Sequence, residues 1–197
     1  LDIDSKVTIH YRNTVEEDTL AFNLNINADC ARINLFSMDY SGTALAGVED
    51  GDIDGSTQCF VQAGGGVKTR LRFPSLEALN SFDQRTLNSA VLYLPIGAMD
   101  MDDYEPQSSL FALTINSDGE NSAIPDQLLG PSHIGGEYDS VNARYVFNIT
   151  RFCQAVLDGN QESGDLFLVS SSAGVTSRRV ILYGPDAFMP ESDQNME

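Results

Sequence analysis

The segment of residues 60–95 constrains the fold more than any other part of the chain. It reads FVQAGGGVKTRLRFPSLEALNSFDQRTLNSAVLYLP. Residues 67–73 alternate between apolar and basic side chains, which is the two-residue period of a β-strand with one buried face. The glycine run at 64–66 predicts a bulge or a close passage of the backbone. Pro74 and Ser75 predict the start of a short helix through Phe82, and residues 88–95, apolar on both faces, predict a covered central strand.

Short strand patterns lie on both sides of this segment. Residues 3–12 and 19–27 alternate and predict a hairpin whose buried face carries Leu20, Phe22, Leu24 and Ile26. Further strands are predicted at residues 31–40, 58–62, 109–115, 144–149, 165–170 and 179–183. Helical spacing of apolar residues predicts a second helix at 149–157, ending before Gly159. Residues 116–139 are polar and rich in turn signals, and they are predicted to form a long loop.

About ten short strands and two short helices, without alternating long helices, favour an all-β fold. The economical architecture is an antiparallel β-sandwich, jelly-roll-like. We predict one domain at residues 1–186 and a polar C-terminal tail at 187–197. The chain opens on Leu1 inside a strand-like pattern, with neither an initiator Met nor a signal peptide, so we expect a mature or truncated piece of a longer protein.

The charge of the chain excludes several classes of partner. Twenty-nine acidic residues against 11 Lys and Arg give a net charge of −18. Such a chain repels nucleic acid and anionic lipid. No apolar run is long enough for a transmembrane segment.

The three cysteines, Cys30, Cys59 and Cys153, form no CxxC pair and, with only two His in the chain, no zinc set. We therefore predict three buried free thiols, with one disulfide as the alternative.

Two acidic loops are candidate Ca²⁺ sites. The first has the D-x-D-x-D-G pattern of a calcium loop, in which alternate carboxylates converge because glycine permits a sharp turn; its ligands would be Asp50, Asp52 and Asp54. The twelfth position of an EF-hand loop would be Val61 instead of Glu, which excludes an EF-hand. The second cluster contains Asp100, Asp102 and Asp103. The alternative for both is a solvated acidic loop.

Basic and aromatic side chains are the candidate contacts for an organic ligand. Lys68, Arg70 and Arg72 form a basic row on one strand face, which would suit an acidic glycan; the favoured alternative is pairing with carboxylates or protection of an edge strand. Aromatic rings in or near loops could stack on sugars if exposed, and these are Tyr40, Tyr104, Tyr138 and Tyr183.

Evidence for catalysis is weak in the sequence. No Ser and Asp partners are placed beside His10 or His133, so a catalytic triad is not predicted. Carboxylate pairs are easily found among 29 acids and indicate nothing without distances. The sequon from Asn148 to Thr150 lies at a strand-to-helix junction and is interpreted as a capping motif.

Three pieces of the chain, taken in order, resemble a known family. They are similar to a Bacteroidetes surface lipoprotein family of unknown function (domain of unknown function 4270). The first piece is GGGVKTRLRFPSLEAL with the following LNSAVLYLPI, the second is YVFNITRFCQAVLDG, and the third is SRRVILYG. The resemblance covers roughly residues 7–184. Weaker similarity extends to DNRLRE-type jelly-roll modules, although the later unit here has Asn148 for Asp and lacks the Trp.

The resemblance implies a β-sandwich from an exported protein at the outer membrane or cell surface. The lipid anchor would lie upstream of Leu1. The family has no assigned activity, so no functional residue is transferred. We therefore expect a non-catalytic module for adhesion, assembly or glycan binding, with a glycan or another surface protein as partner. The alternatives are a purely structural domain of a larger lipoprotein and, less favoured, a glycoside-active enzyme.

Overall fold

The computed structural model describes residues 5–12, 19–26, 37–51, 53–79, 86–97, 99, 103–161, 164–174 and 176–187. The chain divides into two compact units, Leu1–Ser37 and Met38–Glu197. The predictions of a single domain at 1–186 and of a tail at 187–197 stay predictions, and residues 188–197 lie outside the described part.

The first unit contains the predicted hairpin. Strands β1 (Lys6–Arg12) and β2 (Thr19–Asn25) pair antiparallel with Ile9 opposite Phe22. Directly opposed residues share a face, so the apolar residues of both strands lie together. The expected burial of Leu24 and Phe22 is wrong, because their exposed fractions are 48% and 56%. A two-stranded ribbon has no second layer of its own with which to cover its apolar face.

The second unit contains nine described strands. They are β3 (Gln58–Gln62), β4 (Thr69–Leu71), β5 (Val91–Pro95), β6 (Leu110–Ile115), β7 (Asn121–Ala123), β8 (Gly135–Asp139), β9 (Arg144–Asn148), β10 (Leu166–Ser170) and β11 (Arg179–Tyr183). Its α-helices are α1 (Pro74–Leu79), α2 (Pro131–Ile134) and α3 (Thr150–Leu157). The strands predicted at 58–62, 109–115, 144–149, 165–170 and 179–183 are confirmed. The strand predicted at 31–40 falls largely outside the described residues, and its described end, 37–40, has no regular structure.

All pairings of these strands are antiparallel. The sheet orders are β4-β10-β6-β7, β11-β3 and β5-β9-β8. A bridge between Ile96 and Leu182 joins the end of β5 to β11, and Gly97 N donates to Ile181 O at 2.8 Å. Strand β11 pairs on its other side with β3, which lies more than a hundred residues earlier in the sequence, and Gln62 is opposite Arg179. This pairing positions the candidate site described below.

The core of the second unit is built from alternate strand positions and one helix face. Leu110 and Ala112 of β6, and Leu166 and Leu168 of β10, are at most 1% exposed, while residues between them are more accessible. Helix α3 adds Phe152, Cys153 and Val156 to the same apolar cluster. The helical spacing of apolar residues predicted the buried face of α3 correctly, and the alternating burial in β6 and β10 has the two-residue period of a half-buried strand.

Residues 116–139 are not the long loop that was predicted. They form β7, a 3-10 turn over Pro125–Leu129, helix α2 and strand β8. Gly135 and Gly136 have φ of +75° and +91°, a conformation that glycine adopts without strain. A Cβ atom at Gly136 would lie 2.6 Å from Leu110 O, so the glycines there permit close packing of strands rather than a flexible turn.

Strand β5 is not covered on both faces as predicted. Val91 and Tyr93 are 42% and 47% exposed, whereas Leu94 is buried. Arg144 lies on the neighbouring strand β9, and its guanidinium carbon is 4.8 Å from the Tyr93 ring centroid. An apolar side chain that faces outward thus gains a cation–π contact instead of a second apolar layer.

Two free thiols agree with the cysteine prediction in part. Cys153 is buried and Cys59 is half-buried, and neither forms a disulfide. Cys30 lies outside the described residues. Across the described part of the chain, no helix has the length and apolarity required to cross a membrane.

Candidate functional site

An open cleft of about 510 Å³ lies beside the end of the β3–β11 pair. Three short segments, distant in sequence, form it: the last residue of β3, the loop before β6, and the residues entering β11. We call it the Tyr104 cleft, and its lining residues are Gln62, Asp103, Tyr104, Glu105, Ser177, Arg178 and Arg179. Two residues singled out in the sequence, the neighbours Asp103 and Tyr104, lie in this cleft.

Tyr104 is an exposed aromatic ring held by a cation. Its exposed fraction is 52%, and Arg179 Cζ lies 4.7 Å from its ring centroid. This cation–π contact orients the ring from one side. The ring therefore presents apolar surface to solvent in a defined orientation.

A second cation in the cleft is paired with an acid. The guanidinium Nη2 of Arg178 donates to Glu105 Oε2 in a close ion pair. Arg178 and Arg179 are consecutive, yet one contacts a carboxylate and the other an aromatic ring. Arg178 precedes β11 and Arg179 is its first residue, so one short segment supplies the cleft with two different contacts.

Buried polar groups fix the backbone beneath the cleft. Gln107 is 1% exposed, and its Nε2 donates to Arg178 O, which also accepts from Ala63 N at 3.0 Å. Tyr145, which is fully buried, donates through its hydroxyl to Gln107 O at 2.5 Å. Burial, followed by the electrostatic interaction with Tyr138, raises the pKa of Tyr145, so its proton stays available for this bond. The loop carrying Glu105 is thus anchored to both the core and β11.

The glycine run after β3 positions Gln62 in the same cleft. Gly64 and Gly65 have φ of +74° and +76°. A Cβ at Gly66 would lie 2.7 Å from Gln62 Cγ, so the backbone passes directly against that side chain. The close passage predicted for residues 64–66 is confirmed, and Gln62, whose Nε2 donates to Met38 Sδ at 4.0 Å, lines the cleft.

The basic row lies elsewhere, on the edge strand β4 and beside it. Arg70 Nε is 3.9 Å from Asp165 Oδ2, and Arg72 Nε is 3.4 Å from Asp165 Oδ1. Lys68 Nζ lies 4.9 Å from the Phe167 ring centroid. Arg70 and Arg72 thus contact a carboxylate across to the β10 segment, as the pairing alternative expects, and the role of the row in ligand binding stays a prediction.

The other predicted ligand residues are distributed differently. Tyr138 is half-buried, packs on the core, and its ring centroid is 5.6 Å from that of Tyr145. Asp54 accepts from Ser56 N at 2.9 Å, which closes a local turn. Asp52, Asp100 and Asp102, and the side chain of Asp50, lie outside the description. Within the described ranges, no group of three or more His, Cys, Asp or Glu is arranged to hold a metal ion.

A buried carboxylate outside the cleft was not predicted. Asp126 is 0% exposed and accepts from the backbone N–H groups of Arg151 at 3.0 Å and Phe152 at 2.7 Å. His133 Nε2 lies 3.4 Å from Asp126 Oδ1. The carboxylate thus caps the start of α3 from a distant turn, where its charge also meets the positive end of the helix. We assign it a structural role.

Most of the cleft residues could not have been singled out from the sequence. Gln62 belongs to no ligand-binding motif, and the piece SRRVILYG that begins with Ser177, Arg178 and Arg179 carried no functional assignment; the register that places β3 beside β11 is what brings them together. Comparisons with known proteins add no relative: no family model, no curated protein and no solved structure matches this chain.

Proposed function

We propose that this chain is a non-catalytic module that binds carbohydrate through the Tyr104 cleft. The observation that carries the proposal is an exposed, oriented tyrosine ring surrounded by polar side chains. The volume of about 510 Å³ falls within the roughly 300–1,000 Å³ of small-ligand sites. Such sites are usually lined by apolar side chains, whereas this lining is mostly polar, which suits a ligand rich in hydroxyl groups.

The amphipathic character of a sugar ring fits both parts of the lining. Its C–H face can bury apolar area against Tyr104, and its hydroxyl groups can hydrogen-bond to side chains such as Gln62 and Glu105. Buried contacts beneath the cleft, above all that of Gln107 with Arg178 O, hold the lining in place before a ligand arrives. Preorganisation of this kind lowers the entropic cost of binding.

The proposal extends to the architecture and the location. The buried alternate positions of β6, β9, β10 and β11 belong to one apolar cluster, which supports a two-layer β-sandwich, for which we propose a jelly-roll-like topology. The family resemblance supports an exported, lipid-anchored protein at the cell surface, with a glycan or another surface protein as partner. Binding of Ca²⁺ in the acidic loops remains part of the proposal.

A glycan-array screen with and without Ca²⁺ tests the binding function, with Tyr104→Ala as the test variant. We expect hits that Tyr104→Ala abolishes. The matched control is Tyr93→Ala, because Tyr93 is similarly exposed, at 47%, and has Arg144 stacked at 4.8 Å, but does not line the cleft. Equal loss in both variants, or no hits in either condition, would refute carbohydrate binding at the cleft and favour a structural domain of a larger lipoprotein.

A further inference from the structure

The described charges of the Tyr104 cleft balance. Arg178 and Arg179 supply two positive charges, and Asp103 and Glu105 supply two negative ones. The sequence just before Asp103 adds further aspartates, and the whole chain carries −18. The long-range field around the cleft therefore disfavours the approach of an anion.

The two cations are also engaged in the cleft itself. An anionic ligand that sought Arg178 would have to displace Glu105, which is already hydrogen-bonded to that guanidinium. A ligand that sought Arg179 would compete with its contact to the Tyr104 ring. Either exchange would leave a ligand anion beside cleft carboxylates, and like charges at short range repel.

The hydrogen-bonding capacities of the lining favour neutral hydroxyl groups. Carboxylates only accept and guanidinium groups only donate, whereas the Gln62 amide and the Ser177 hydroxyl do both. A sugar hydroxyl donates and accepts, so neighbouring hydroxyls can satisfy a carboxylate and a guanidinium together. A ligand carboxylate or sulfate only accepts, so it cannot donate a hydrogen bond to the Glu105 carboxylate.

We propose that the Tyr104 cleft selects uncharged sugars with neighbouring hydroxyl groups and discriminates against glycans that carry carboxylate or sulfate groups. This inference rests on the proposed carbohydrate-binding function and specifies its ligand class. It assigns Glu105 a specificity role, because its carboxylate both accepts from a neutral sugar and repels an anionic one. The basic row of Lys68, Arg70 and Arg72 then has no part in recognition.

Isothermal titration tests the selectivity with defined probes. The neutral probes are cello-, manno- and xylo-oligosaccharides, and the anionic probes are oligogalacturonates and heparin oligosaccharides. We expect a neutral probe to bind at least about tenfold more tightly than either anionic class, since repulsion opposes the latter. Raising NaCl from roughly 50 to 500 mM should change the neutral affinity less than about twofold, because screening acts on charges.

Glu105→Gln keeps the shape of the side chain and removes its charge. We expect it to weaken the binding of the neutral probes and to reduce the ratio of neutral to anionic affinity by about fivefold or more, because the repulsive charge is gone. Preference for an anionic probe, lost in Tyr104→Ala, would overturn the selectivity and leave carbohydrate binding at the cleft intact. Absence of any Tyr104-dependent binding across the panel would overturn both proposals.

Discussion

Replacing Asp126 with alanine should destabilise the protein more than any comparable change of a surface carboxylate. The side chain is 0% exposed and accepts two backbone N–H bonds, from Arg151 and Phe152. Hydrogen bonds to a charged group contribute about 1.5–3 kcal/mol each, and removal leaves the buried donors unsatisfied. We expect Asp126→Ala to lower the free energy of unfolding by about 3–5 kcal/mol, and Asp126→Asn, which keeps one acceptor, by roughly half as much.

The measurement is urea and thermal unfolding followed by far-UV circular dichroism, since the chain has no Trp. A loss of this size lowers Tm by about 10 °C for a chain of this length. Hydrogen exchange supplies a local readout, because the amides of Arg151 and Phe152 should exchange faster in Asp126→Ala while those of β6 are less affected.

Asp139→Ala is the matched control for this prediction. Asp139 also accepts from two backbone N–H groups, those of Val141 and Asn142, at 3.1 and 3.2 Å, but in an exposed turn. Water can replace those bonds, so we expect a clearly smaller loss. Equal destabilisation by Asp126→Ala and Asp139→Ala would refute the reasoning that burial of the carboxylate determines the cost.

Three further predictions concern pH, backbone packing and metal binding. Burial, followed by the charge of Asp126, raises the pKa of Cys153 from 9.0 to about 11. The stability that depends on the protonated thiol should therefore be lost as pH rises from 9 to 11. In urea titrations, the free energy of unfolding should depend less on pH in Cys153→Ala than in the unchanged protein. Gly136→Ala should cost about 3 kcal/mol or more, because its Cβ would lie 2.6 Å from Leu110 O, whereas Gly119→Ala, at φ +80° with open space, should cost about 1 kcal/mol; equal losses would contradict the clash. If the acidic loops bind Ca²⁺, calcium at about 100 times Kd should raise stability by about 2.7 kcal/mol and EGTA should reverse it; an unchanged Tm would count against the site.

The local elements of this protein follow from sequence periodicity. Short strand patterns predicted the strands that end at Gln62 and begin at Arg179, and the spacing of apolar residues predicted α3. These signals are local because a strand or helix exposes its two faces at a fixed period. The prediction for residues 116–139 was wrong, because a segment whose glycines permit close packing of strands has the same glycine-rich composition as a loop.

Burial was less predictable than strand position. An apolar residue such as Tyr93 or Phe22 fits a strand whether or not another layer covers it, and both are about half exposed. Asp126 shows the opposite case, since an acidic residue in a polar segment is normally solvated. The distant amides at the start of α3 make its burial favourable, and no local pattern records those partners.

The sequence by itself determined where most of the described strands and helix α3 form, and which face of residues 67–73 meets water. Only the tertiary structure decided that Gln62, Tyr104 and Arg179 line one cleft, while Arg70 and Arg72 lie on and beside an edge strand near Asp165. The physical reason is that periodicity is a property of about ten consecutive residues, whereas the cleft depends on the pairing of β3 with β11, two strands separated by more than a hundred residues.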